Sequence, residues 1–216
     1  MPIDRVRETG QPIPKNLQSP QHWETIRNAY ATIVSDLQGL NAYRYSNNIT
    51  GGNQELMEAI SFQYYLETQT LISIEEARSK LAGMSKSESG DTVMLTEADY
   101  ALGVFDMVGE LMRFAITSMA TGARSLSADA MDADDEGVRL PERTVLSDLR
   151  ELRSYLELVD AAGSSLGRDY GKKMGVMQEC VEKVEKASYG QVVRGSERPK
   201  GWIPDLEDRR EEVEAA

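Results

Sequence analysis

The sequence predicts an all-α fold, an antiparallel bundle of about six to seven helices. Three observations carry that prediction. Apolar residues recur at spacings of three and four through most of the chain, and no stretch alternates in the manner of a half-buried strand. The aromatic share is only 6% while Met occurs ten times. Met and Leu favour helices, whereas sheets draw on aromatic and β-branched side chains. With 216 residues, 40% apolar and 28% charged, the chain can bury one good core or two small ones.

Residues 1–19 are polar and proline-bearing and read as an irregular lead-in. Ser19 and Pro20 fit an N-cap followed by proline in the first turn. From there Trp23, Ile26, Tyr30, Ile33 and Leu37 form an apolar stripe to about Leu40. A break at Asn47–Gly52 is expected before a second helix over about Asn53–Thr70. Ser73 and Glu76 have capping-box spacing and open a third helix, to about Leu81. Residues 84–94, all Ser, Gly and charge apart from a few apolar positions, read as a loop. Thr96 caps a long fourth helix to about Ala120. Residues 121–141 gather Asp129, Asp132, Asp134, Asp135 and Glu136 among small residues, so a mobile acidic surface loop is expected. Helices over about 142–163 and 168–193 follow, the first carrying Val145, Leu149, Leu152, Leu156 and Val159. The second carries Tyr170, Met174, Met177, Val181 and Val184. The bundle is thus expected to occupy 20–196, and 197–216 to be a tail that docks through Trp202.

Composition narrows the chemistry. One cysteine, Cys180, and one histidine, His22, exclude an internal disulfide, multi-cysteine zinc sites and most histidine-based mechanisms. A net charge of −12 is a poor match to phosphate backbones, so any action on RNA needs cations or a more basic partner. No run is long and apolar enough to span a bilayer, and a cytoplasmic and nuclear location is expected, with no membrane partner.

Several motifs imitate active sites. Gly163-Ser164-Ser165-Leu166-Gly167 has the G-x-S-x-G form, but a helix precedes it and no histidine follows, so a helix–helix turn is expected. Asp132 to Gly137 resembles half a calcium loop, yet the closing ligand position holds Arg143. Asn48-Ile49-Thr50 fits a glycosylation sequon that means little in a cytosolic chain. His22 is expected in solvent and Cys180 in packing.

The carboxylates are more informative. Glu55 and Glu58 share one face of the second helix with Phe62 and Tyr65, while Leu56, Met57, Ile60 and Tyr64 line the other. A helix apolar on both sides holds its glutamates among aromatics, where carboxylates need protons, partners or metal. On the fourth helix Asp106 and Glu110 lie one turn apart, followed by Arg113 and flanked by Gly103 and Gly109. Taken alone, that face reads as solvated, with an internal salt bridge. If the two helices meet, these acids make a hard oxygen cage for Mg²⁺ or Mn²⁺, suited to phosphoryl displacement. Spacing alone leaves both readings open.

Three blocks of sequence go beyond generic helix. Gln54-Glu55-Leu56-Met57-Glu58-Ala59-Ile60-Ser61-Phe62-Gln63, with Leu71-Ile72-Ser73, is the first. Asp99-Tyr100-Ala101-Leu102-Gly103-Val104 running into Gly109-Glu110-Leu111-Met112-Arg113 is the second. Val184-Glu185-Lys186-Ala187, Val193-Arg194-Gly195-Ser196-Glu197 and Pro199-Lys200 make up the third. In this order they resemble the translin family, in its translin-associated factor X branch. The resemblance implies a helical subunit that joins translin in a closed, octameric hetero-oligomeric shell. It implies a Mg²⁺-dependent endoribonuclease acting on single-stranded or nicked small RNAs, such as passenger strands and tRNA leader fragments. Glu55, Glu58 and Asp106 fall on the branch's catalytic, metal-binding carboxylates. Glu110 is implied as a further metal ligand and Arg113 as its support. Members of the branch usually open with a further long helix, which this sequence does not offer before Pro20. The competing expectation is a non-catalytic scaffold that stabilises translin and helps to retain RNA.

Overall fold

The computed structural model describes residues 20–120, 144–159, 166 and 169–194. These form seven α-helices and one 3₁₀ turn, an antiparallel bundle with no strand among the described residues. The lead-in, the acidic loop with its calcium-like run, and the tail with Trp202 lie outside them. So does the Gly163–Gly167 turn apart from Leu166, which is buried.

Helix α1 (Pro20–Ile33) stops short of its expected end. The chain tightens into a 3₁₀ turn at Val34–Leu37, passes through Gly39 with a positive φ of +60° and a ψ of −129°, and gives a one-turn helix α2 (Leu40–Arg44). Only glycine enters that region without a Cβ clash. Helix α3 (Ser46–Thr68) begins earlier than expected. The run Asn47–Gly52 is helical, not a break. Thr50 and Asn53 on this first stretch both bond to Asp99, and tertiary bonds outweigh the roughly 1 kcal/mol per glycine of weak propensity.

Helix α4 (Ile74–Ser85) opens on the expected capping box, with the Glu76 amide donating to Ser73 Oγ at 3.2 Å and the Ser73 amide to Glu76 at 3.1 Å. The connection to α5 is anchored by Val93 and Leu95, both buried. Helix α5 (Glu97–Ala120) matches expectation, Thr96 Oγ1 accepting from the Asp99 amide. Helix α6 (Val145–Glu157) is capped by Thr144 and Ser147, and α7 spans Asp169–Arg194.

Two cores result, and α3 serves both. Leu56, Met57 and Ile60 pack with Tyr30, Val34, Ile72, Ala77 and Leu81. Phe62, Tyr65 and Leu66 pack with α5, α6 and α7. Cys180 is buried in the second core and His22 is exposed, as expected. The cross-helix contacts also fix direction. Along α3 and α5, Thr50 meets Asp99 and Phe62 meets Phe114. Along α5 and α7, Phe105 meets Tyr170 and Met119 meets Gln191. The three long helices therefore run the same way, with α4 and α6 returning between them. Their N-terminal halves lie at one level of the bundle.

Candidate functional site

The site forms where α5 crosses α3. A Cβ on Gly103 would overlap that of Met57 and stand 2.9 Å from the Gln54 carbonyl oxygen and 3.3 Å from the Glu58 nitrogen. The missing side chain lets the two backbones touch. Asp106, one turn on, is thereby brought to the level of Glu58. Gly109, in contrast, has nothing near its missing Cβ, so only one of the two glycines serves the approach.

Glu58 is half-buried and its carboxyl is held above the ordinary carboxylate value. Burial is the largest cause, followed by the charges of Asp106 and then Glu55; Arg113 and Lys173 pull the other way. Charges that register on one another this way occupy one neighbourhood. The charges of Glu55, from the same helix, and Asp106, from α5, thus both reach Glu58. Glu55 is nevertheless exposed, not enclosed by aromatics. It lines the rim of an apolar groove between α1 and α3, formed by Ile26, Tyr30, Ile33 and Leu56. Glu110 takes a separate course, as its carboxylate pairs with Arg113 on its own helix.

Asp106 is not ordinary helix surface. Its Oδ2 accepts from the Lys173 ammonium on α7, in a pair whose side chains are 20% and 33% exposed. Lys173 Nζ also donates to Gln54 Oε1 at 3.1 Å and to the Leu102 carbonyl at 3.4 Å. Sequence reasoning missed Lys173, and no local signal could have found it. It stands 67 positions from Asp106 and 119 from Gln54.

Behind the carboxylates runs a buried polar chain. Tyr30 Oη donates to Asn53 Oδ1 at 2.9 Å, and Asn53 Nδ2 to Asp99 Oδ2 at 3.1 Å. Thr50 donates to the other oxygen of Asp99, and Gln54 Nε2 to Thr50 Oγ1 at 2.9 Å. Gln54 thus joins this chain to Lys173 and Asp106. Buried polar groups linked end to end fix their geometry, because breaking any one bond strands a partner.

The carboxylates match a hard divalent cation in chemistry, being all oxygen; in charge, Glu58 faces two acids, Asp106 and Glu55, and two cations, Arg113 and Lys173. Among the described residues no three Asp, Glu, His or Cys side chains converge on one point. Asp106 is paired with Lys173 and Glu110 with Arg113.

A family model described as Translin family matches residues 3–195, nearly all of the chain and every residue of the site. The chain belongs to the translin family. Within that family it is 28% identical over 205 residues to mouse translin-associated protein X, covering 88% of this chain and 64% of that one. It is 27% identical over 190 residues to the translin-associated protein X homolog of Schizosaccharomyces pombe, covering 88% and 71%. Chicken translin is 28% identical over 186 residues, covering 86% and 72%. The chain therefore spans a little under two thirds of the mouse relative. No helix among the described residues is long and apolar enough to cross a membrane.

Proposed function

We propose that this chain is the nuclease-bearing subunit of a hetero-oligomer with translin, cleaving single-stranded or nicked small RNAs with Mg²⁺ or Mn²⁺. The observation that supports it most is the crowding of Glu58 by Asp106 and Glu55 at the crossing of α3 and α5. Crowded half-buried acids need protons or cations; Lys173 and Arg113 supply part of that charge within the chain, and a divalent ion would supply the rest. The names of the relatives support the partnership with translin, and the net charge of −12 suits a subunit whose partner supplies the basic RNA-binding surface. Action in both cytoplasm and nucleus accompanies this reading.

A divalent ion held by Glu55, Glu58 and Asp106 would supply charge stabilisation and water activation for phosphodiester cleavage. The chain's own residues set the stage for it. Gly103 sets Asp106 at the level of Glu58; Gln54 holds the Lys173 ammonium that engages Asp106; Arg113 holds Glu110 one turn away. Arg113, largely exposed, is placed to meet a phosphate.

Glu58→Ala in the translin complex should abolish Mg²⁺-dependent cleavage of a single-stranded RNA while the complex still assembles. Full activity in that variant would sink the reading. A scaffold without catalysis is the second reading. It is favoured by one observation, that Asp106 and Glu110 already have cationic partners within the chain. A parent complex that binds RNA and never cleaves it would decide for the scaffold.

A further inference from the structure

Lys173 reaches the carboxylate site from a third helix, and its three ammonium protons have three acceptors: Asp106 Oδ2, Gln54 Oε1 and the Leu102 carbonyl. A carboxylate, an amide oxygen and a backbone carbonyl are the ligand types that a hard cation selects. The seat is therefore one that metal ions use, filled here by a cation of the chain. Its fixity is built in. Gln54 is held by Thr50, and Thr50 by the buried Asp99, while Tyr170, on the same turn of α7, packs edge-on against Phe105 with ring centroids 5.6 Å apart.

We propose that Lys173 is the resident counter-cation of this site, competing with a divalent ion for the Asp106 carboxylate. This rests on the metal-dependent reading above and deepens it. A divalent ion that takes Asp106 must displace the ammonium or share the carboxylate with it. Either way, the positive charge of Lys173 weakens the binding of the incoming ion.

The test is Mn²⁺ titration by calorimetry on the full chain, in complex with translin where the two assemble, and without RNA. Lys173→Met removes a unit charge a few ångströms from the seat and should tighten Mn²⁺ binding by about tenfold or more. Lys173→Arg keeps the charge and should stay within about threefold of the parent. Asp106→Asn should weaken binding in both the parent and the Lys173→Met background. Thermal unfolding of each variant checks that it folds, and Lys173→Gln replaces the Met variant if that one does not. Mn²⁺ binding that is unchanged or weaker when the charge is removed overturns the inference and leaves the metal site standing. No Mn²⁺ binding by the parent or by either neutral variant overturns the metal reading, and the inference falls with it.

Discussion

Gly103 on α5 faces Met57 on α3 across a gap that has no room for a methyl group. The obstacle includes the backbone at Gln54 and Glu58, which cannot swing aside as a flexible side-chain end can. The crossing of these helices, which sets Asp106 at the level of Glu58, depends on one absent carbon.

Gly103→Ala should therefore destabilise the chain by about 1–3 kcal/mol or more, as overpacking of a tight core does. Gly109→Ala should do the reverse, because nothing stands near its missing Cβ and alanine gains up to about 1 kcal/mol of helix propensity. Urea unfolding midpoints of the two variants read both effects. Equal shifts in the same direction would show that the close approach does not govern the crossing.

Glu58 makes stability depend on pH in a definite direction. Its carboxyl is held above the ordinary 4.5 in the fold, first by burial and then by Asp106 and Glu55. The folded chain thus binds this proton more tightly than the unfolded chain. Without divalent ions, its contribution is present at and below pH 4.5 and is lost as pH rises through the folded value. Glu58→Gln removes that loss and should be the more stable protein at neutral pH, by on the order of a few tenths to 1 kcal/mol in this half-solvated place. The advantage should vanish on acidification. Denaturant titrations across the acidic range would reveal it, and a Gln variant weaker than the parent at neutral pH would contradict it.

Tyr30 governs the alkaline side. Burial, and after it the charge of Asp99, pushes the phenol up to about 12 from 10.0. The unfolded chain loses this proton first, so stability falls as pH rises from 10 towards 12. Tyr30→Phe should remove that part of the alkaline slope. It should also cost about 1 kcal/mol at neutral pH, through loss of the 2.9 Å bond to Asn53. Thermal unfolding between pH 7 and 11 reads both, and an unchanged alkaline slope would deny the assignment.

Much of the fold was legible because it is written in local pattern. The Ser73–Glu76 capping box, the Thr96 cap and the stripe of α7 each involve residues within a few positions of one another. The errors fall where distant residues overrode that pattern. Asn47–Gly52 looked like a break and is helical, since Thr50 and Asn53 are tied to Asp99, 49 and 46 positions away. α1 stops at Ile33, where Val34 and Leu37 turn into the first core. In the site, the shared face of Glu55 and Glu58 could be read from their spacing. Their unequal exposure could not, because α1 and α5 cover different sides of α3.

The sequence by itself determined that this protein is helical and which acids are candidates for a site, since composition and one-turn spacing are properties of the chain alone. Only the tertiary structure decided that Asp106 lies at the level of Glu58, that Glu110 stays with Arg113, and that Lys173 engages Asp106. The reason is topological. Three long helices running the same way set residues from distant parts of the chain at one level, and Gly103 lets two of them close to contact.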